Sequence, residues 1–504
     1  MNLASVYYFL FLIICFIVYY LVPGKMQKYV LTIASLYFFL QMSSETPEKF
    51  LMILSYVILV TYAGGLITDR LDGRLRTACT AVAIVLLVSV LVILKYLYNI
   101  TAVVLQIVHI SSDISWMDIV APVGISYFTL SAIGYLMEVF WKNIQAEKNL
   151  FNVALFVAYF PQIISGPVTR YPEMKQQFDK AHSLEYENIA KGALRMLWGY
   201  FQKFVISERF SVVVLTIYGN IQEQSGISII LATLCYAIQL YTDFSGCMDI
   251  IMGTSILFDI KLPENFRAPF FSFSIQEFWQ RWHITLGLWF KDYVMYPLQL
   301  TKPFLAIGRI CGKRFGKKAG RKISFYSSML VLWTLIGIWH GGTGYYFIAS
   351  AGIPCILLII SDLLNPYCKK AVIKLKIKTD CYSYRLFQRI RTVLLVCLSW
   401  IFVCANGTYN GIAVYKQVIK HFILFSSPEA TFELFGFELV DIVLMVLGIC
   451  ILFTVDYIKD TGRDVLVTLR EQNIIFKYAV IACCILTVMY YGKVGNSTFI
   501  YFKF

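Results

Sequence analysis

Thr77-Ala-Cys-Thr-Ala-Val-Ala-Ile-Val-Leu-Leu-Val-Ser-Val-Leu-Val-Ile-Leu-Lys-Tyr-Leu-Tyr98 holds one charged side chain, Lys95, in 22 residues. About 20 predominantly apolar residues in an α-helix cross the hydrocarbon core of a bilayer, so this stretch reads as a spanning helix. Similar runs recur from end to end, at 3–22, 29–42, 50–68, 77–98, 119–141, 150–165, 194–218, 227–258, 324–340, 343–364, 392–410, 437–457 and 474–492. Several are short or over-long, which predicts about ten to twelve crossings. Hydrophobic residues make up 59% of the 504 residues and charged ones 15%, against roughly 25% charged in soluble globular proteins. One continuous multi-pass membrane bundle is therefore expected. Residues 3–22 lack a basic leader region and a small-residue cleavage site, so they read as a first spanning helix and not a removed signal peptide.

The formal net charge of +14 sits mostly in short connections between apolar runs. The positive-inside rule accounts for that placement, and no base-stacking pattern or recognition motif points to nucleic acid. Lys25 and Lys28 in 23–28 and Arg70, Arg74 and Arg76 in 69–76 contrast with Glu45 and Glu48 in 43–49. The first two connections are expected inside the cell and 43–49 outside. Residues 302–322 hold eight basic side chains and no acid, and 366–391 hold eight against Asp380 alone. Both are read as cytoplasmic loops, contacting anionic lipid heads or receiving an anionic donor. The thirteen cysteines, such as Cys15, Cys235, Cys397 and Cys450, lie mostly in apolar runs without zinc, haem or Cys-x-x-Cys spacing. They read as small core residues, with no metal site and no disulfides expected.

Two of the five histidines fall inside tryptophan-rich apolar stretches: His283 in Phe278-Trp-Gln-Arg-Trp-His283, and His340 in Gly337-Ile-Trp-His340. An ionisable group in such surroundings is costly and marks a functional site by default. Imidazole also suits proton movement near neutral pH. The plainer reading is a histidine whose ring nitrogens are satisfied by neighbours. Between Ile275 and Tyr293 the spacing predicts a helix with Trp279, Trp282, Leu286, Trp289, Phe290 and Tyr293 on one face and His283 near its edge. A second helix, 324–342, ends at Gly341-Gly342 and places Trp333, Gly337 and His340 on one face, with Gly337 leaving room beside His340 for a ligand or a neighbouring backbone. With basic loops on both flanks, the pair 324–340 and 343–364 forms a hairpin that carries His340 away from the cytoplasmic surface. Asp243 and Asp249 lie six residues apart on one helix, too far around it for a carboxylate pair; a structural pairing with Arg267, Arg281 or Lys291 is expected.

Together, Pro122-Val-Gly-Ile-Ser-Tyr-Phe-Thr129, Tyr159-Phe-Pro-Gln-Ile-Ile-Ser-Gly-Pro167, Asp243-Phe-Ser-Gly246 with Asp249, Pro263-Glu-Asn-Phe-Arg-Ala-Pro-Phe270, Glu277-Phe-Trp-Gln-Arg-Trp-His283, Trp339-His-Gly-Gly342 and Phe499-Ile-Tyr-Phe-Lys-Phe504 are specific in order and spacing. In these stretches the chain resembles the membrane-bound O-acyltransferase family. It is most similar to the bacterial branch with the alginate O-acetyltransferase membrane subunit and the teichoic acid D-alanyl transfer subunit. The resemblance implies an all-α polytopic bundle around a funnel, with N-terminal spanning helices over 1–118. A core over 119–504 would contain a re-entrant and amphipathic segment, 263–300, and a catalytic helix, 324–342. It further implies His340 as catalytic histidine and His283 as its partner. Trp279, Trp282, Trp339, Gly337, Asp243, Asn265, Arg267 and Arg281 are expected along the substrate channel. Residues Trp289-Phe-Lys-Asp-Tyr-Val294 lean toward the teichoic-acid branch and the chain length toward the alginate branch.

The implied function is acyl transfer from a cytoplasmic thioester to a hydroxyl of a cell-envelope or secreted polysaccharide. Acetyl-CoA is the expected donor, and the phosphopantetheine of an acylated carrier protein is the alternative; no cofactor is expected to stay bound. The partners expected are membrane lipids and an extracytoplasmic transferase of the SGNH-hydrolase kind, docking on outer surface that includes Tyr409–Phe435 through Tyr415, Phe422, Phe425 and Phe432. A transporter or flippase for a lipid-linked sugar, with the histidines as proton relays, is the alternative from another class, though the repeated halves common in transporters are not evident.

The topology is open to single-cysteine labelling in a background without native cysteines. A reagent confined to the outer side is expected to modify Ser44→Cys and to spare Lys317→Cys; strong outer labelling at position 317 overturns the assigned orientation.

Overall fold

A computed structural model describes residues 3–42, 46–108, 121–341, 344–405, 407–422 and 435–493. The chain is an all-α polytopic membrane protein, 81% helix with no strand among the described residues. Only helices and closed barrels satisfy every backbone group inside hydrocarbon, and the long apolar runs take the helical solution. Among the described residues, eight helices are long and apolar enough to cross a membrane: Pro47–Arg70, Gly73–Tyr98, Gly226–Leu257, Lys317–His340, Gly344–Lys374, Tyr382–Cys404, Leu439–Asp460 and Ile474–Tyr491. Val6–Leu21 and Ile125–Phe140 are apolar but shorter. Polar residues mark several starts. The Ser5 hydroxyl accepts from Tyr8 N–H, and the Asn149 and Asn473 side chains accept from the amides two residues on.

Two expected loops are helical instead. Most of 302–322 is a hairpin of Lys302–Phe315 and the start of Lys317–His340, turned at Gly316 with φ +89°. A Cβ on Gly320 would lie 2.4 Å from the Gly308 carbonyl oxygen and 2.5 Å from the Gly312 nitrogen. The two arms therefore touch through small residues, while the basic side chains that read as a loop stand away from the contact. Likewise, 366–391 is mostly the end of Ile353–Lys374 and the start of Tyr382–Cys404. Ser44, expected in an outer turn, Gly342 and the part of Tyr409–Phe435 that holds Phe425 and Phe432 lie outside the described residues.

The chain forms two compact units, one from residues within Met1–Met196 and Met248–Pro263, the other from Leu197–Cys247 and Glu264–Ile500. The long Gly226–Leu257 helix contributes to both. In the first unit, rings of Tyr8, Phe11, Phe38, Phe160 and Phe258 pack with centroids 5.2–5.9 Å apart. Gly124, at φ +83°, sits where a Cβ would collide with the Ile163 carbonyl oxygen at 1.8 Å. Arg195 donates to Asp249 at 2.9 Å, so Asp249 finds a different partner from those expected.

The second unit buries charge in pairs. The side chain of Lys203 lies in a π-helical turn, Phe201–Ser207, and bridges Asp243 at 2.5 Å and Glu208 at 2.7 Å, all three groups being under a tenth exposed. Arg209, 1% exposed, holds Asp441 at 3.0 Å and the Tyr491 carbonyl at 2.8 Å. Asp243 is therefore paired with a lysine 40 residues upstream and not with Arg267, Arg281 or Lys291. Helical spacing shows which residues share a face of their own helix, but not which neighbouring helix brings a counter-charge.

Breaking a buried ion pair by removing one partner costs about 3–5 kcal/mol. Lys203→Met is therefore expected to destabilise the detergent-solubilised protein by about that much, since two buried carboxylates lose their cation. Thermal unfolding should show a clearly lowered midpoint; an unchanged midpoint would mean that the three groups contribute nothing to stability.

Candidate active site

The segment 263–300 does not form the single helix its spacing predicts. Ser274 caps Ile275–Arg281 by accepting from Glu277 N–H, and the Glu277 carboxylate returns to accept from Phe273 N–H at 2.8 Å. The helix then stops. Trp282 is extended and His283 adopts the left-handed conformation, at φ +48° and ψ 50°, before Ile284–Phe290 begins. Phe266 and Trp282 form an antiparallel bridge, with Arg267 N–H donating to the Arg281 carbonyl and Ile284 N–H to the Asn265 carbonyl, both at 3.0 Å. Competition from this backbone pairing is the physical reason the periodicity misled. The apolar residues on either side do recur at helical steps, but a neighbouring strand-like segment takes over the hydrogen bonds at 281–284.

The break is held from outside. Arg281 donates to Glu277 and to Asp460, each at 2.6 Å. Arg389 reaches the other Asp460 oxygen at 3.2 Å and donates to the Phe271 carbonyl, with its guanidinium 4.8 Å from the Phe271 ring centroid. Arg391 donates to the Phe273 carbonyl at 2.8 Å. These arginines tie the loop before the site to Tyr382–Cys404 and Leu439–Asp460. Sequence reasoning missed Asp460 and Lys203; a carboxylate or ammonium in or beside an apolar run is the signal that could have drawn attention to each.

His283 is 4% exposed. Its Nδ1 lies 3.3 Å from the side-chain oxygen of Asn265, which also accepts from Thr285 N–H at 3.1 Å and the Thr285 hydroxyl at 3.0 Å. The Phe244 ring meets the imidazole edge to face at 4.8 Å. Burial, and secondarily charge on His340, push the His283 imidazole well below the usual histidine range, so it is neutral near pH 7. His340 closes the Lys317–His340 helix and is partly exposed. Trp339 joins the two, its ring 6.1 Å from that of His283 and 5.0 Å from that of His340. By contrast, His182 has both ring nitrogens within 2.9 Å of Asp259 and the Gln177 carbonyl, the arrangement of a structural histidine.

The other expected residues divide. Trp282 packs against Phe266, Phe278 and Trp400 at 5.1–5.6 Å, and Trp279 meets Trp333 at 5.3 Å, so both belong to the aromatic wall near the histidines. Asn265 clamps His283. Asp243 is tied to Lys203 one residue before Phe244, Arg281 braces the break, and the Arg267 side chain is exposed. Gly337 leaves its space to a neighbouring segment: a Cβ there would lie 2.6 Å from Ala351 Cβ and 3.0 Å from the Phe347 ring. Two imidazoles, one buried and neutral, meeting across a tryptophan in an aromatic surround can move a proton and shield a reactive carbonyl from water.

A family model described as MBOAT, membrane-bound O-acyltransferase family, matches residues 2–306, which include His283 but not His340. A "Probable alginate O-acetylase" of Pseudomonas syringae pv. tomato is 30% identical over 60% of this chain, a stretch spanning only about half, 52%, of that relative. A peptidoglycan O-acetyltransferase of Helicobacter pylori is 28% identical over 61% of the chain and 58% of its own length. A teichoic acid D-alanyltransferase of Bacillus subtilis is 27% identical over 57% of the chain and 68% of its own length. The transfer of an acyl group is what these relatives have in common, and the chain, with its spanning helices and its histidine pair, belongs to the membrane-bound O-acyltransferase family.

Proposed function

We propose that this protein transfers an acyl group, an acetyl in the first reading, from a cytoplasmic thioester to a hydroxyl of a cell-envelope or secreted polysaccharide. The observation that carries the reading is the pair His283 and His340 gathered around Trp339 inside an aromatic wall. A hydroxyl presented from the outer side, the first acceptor on the way to the polymer, bonds through its oxygen to the thioester carbonyl carbon as its proton passes to His340. Collapse of the tetrahedral oxyanion breaks the carbon–sulfur bond, and the thiolate leaves and recovers the proton. Acetyl-CoA is the proposed donor. Similarity to the teichoic acid D-alanyltransferase supports a second reading, in which the donor is a D-alanyl thioester on a carrier-protein phosphopantetheine. The basic hairpin at 302–322 faces the donor side in either case, where its charge suits an anionic thioester or anionic lipid.

A polymer is too bulky to enter a helical bundle, so an extracytoplasmic transferase of the SGNH-hydrolase kind is proposed to carry the acyl group onward. Incubation in detergent with labelled acetyl-CoA, or with a D-alanyl carrier protein, tests donor and reaction together. Without the partner, thioester cleavage should persist while polymer acylation stops; full acylation of the native polymer by the purified chain alone refutes the relay.

General acid–base catalysis is commonly worth ~10²–10⁴ in rate. His340→Ala should therefore lower thioester turnover by at least ~10²-fold while the protein inserts and purifies normally, and wild-type turnover in that variant sinks the assignment. His283→Asn should retain more activity than His283→Ala, because an amide keeps one donor and one acceptor. Equal losses would mean that His283 itself must change protonation state.

A further inference from the structure

Asn265 carries more than its place along a channel implies. Its carboxamide oxygen is identified by the backbone: Thr285 N–H can only donate, so the atom it meets at 3.1 Å is the oxygen. The Thr285 hydroxyl reaches the same oxygen at 3.0 Å, and His283 Nδ1 lies 3.3 Å from it. An oxygen accepts, so Nδ1 must hold the ring proton to share in that contact. In a neutral imidazole the other nitrogen then has the lone pair. The Asn265 main-chain carbonyl, accepting from Ile284 N–H, fixes the left-handed turn on which the ring sits.

We propose that Asn265 is a positioning residue that locks His283 in the tautomer protonated at Nδ1 and so makes Nε2 a hydrogen-bond acceptor in the acyl-transfer site. Nε2 of neutral His283 then cannot donate to a developing oxyanion. Its role is to accept a hydrogen bond, from the ring N–H of His340 or from the attacking hydroxyl, and the oxyanion is stabilised by another group. The same role accounts for the expectation that His283→Asn keeps more activity than His283→Ala, because the amide oxygen can replace the Nε2 lone pair.

The kinetic part of this inference rests on the acyl-transfer reading; the tautomer does not, so the two can fail separately. The full-length protein, labelled with nitrogen-15 in its histidines and reconstituted in lipid, would be studied by solid-state NMR, with the His283 signals assigned by their loss in His283→Asn. The expected spectrum shows His283 protonated at Nδ1 and bare at Nε2 at neutral pH. Asn265→Asp keeps an acceptor in place and adds negative charge beside Nδ1–H, which favours the protonated ring. It should preserve the tautomer and move the acidic limb of the rate profile to higher pH. Asn265→Leu should mix the tautomers and lower kcat at least tenfold with KM nearly unchanged. A wild-type His283 protonated at Nε2 overturns the proposal whatever the activity. So does an Asn265→Asp protein, folded by its thermal midpoint, that matches Asn265→Leu in kcat and leaves the pH limb unmoved.

Discussion

The site depends on a short stretch of backbone pairing: Asn265–Arg267 alongside Arg281–Ile284. Interrupting a helix leaves amide and carbonyl groups without intrahelical partners, and in apolar surroundings each orphan costs several kcal/mol. Here the Arg281 carbonyl and the Ile284 amide are taken up by the neighbouring segment, and the Thr285 amide by the Asn265 side chain. His283 can then occupy a left-handed conformation that a side chain with a Cβ enters only at a cost of roughly 1–3 kcal/mol. Strain of that kind persists only where the surroundings over-determine it. The Arg281 and Arg389 contacts to Asp460 supply that reinforcement from another helix.

Buried charge does the corresponding work deeper in the same unit. Paired ions are expensive to bury and add little net stability over well-packed apolar groups, so their presence in a membrane bundle calls for another explanation. Each pair here joins elements far apart in sequence, Lys203 to Asp243 and Arg209 to Asp441, and the Tyr241 hydroxyl adds a hydrogen bond of the same kind by donating to Asp456. Apolar helices slide and rotate against one another with small changes in energy, whereas a misplaced lysine leaves two carboxylates unpaired. The pairs therefore fix helix register. On Gly226–Leu257 that register puts Tyr241 against Phe266 and Trp282 and Phe244 against the His283 ring.

The sequence makes some of this legible and not the rest, for identifiable reasons. Membrane class and most spanning runs follow from hydropathy, which is a local property. His283 and His340 stand out because a titratable group among tryptophans is a local anomaly. The break at Trp282–His283 is invisible to periodicity, since Trp279, Trp282, Leu286 and Trp289 keep helical spacing across it; what breaks the helix lies some 16 residues upstream. The basic run 302–322 looks like a loop because charge is what the eye reads there, while the helix contact is made by Gly308, Gly312 and Gly320. Gly337 could have opened space to a ligand or to a neighbouring segment, and only tertiary packing against Ala351 and Phe347 decides between them.

The aromatic surround follows from the same demand for fixed geometry. An activated acyl group in a wet cavity would be lost to hydrolysis, so an acyl-transfer site has to exclude water while keeping the reacting groups aligned. Aliphatic side chains can exclude water, yet they repack easily. Large rings with few rotamers hold a shape, and edge-to-face contacts at 4.5–7 Å orient one ring by another. Trp282 is set in this way by Phe266, Phe278 and Trp400, and Trp279 by Trp333. Trp339 then has both histidine rings as neighbours. A wall drawn from such separated segments exists only when the whole unit is folded, which ties the approach of the two histidines to Trp339 to correct assembly of the unit that holds them.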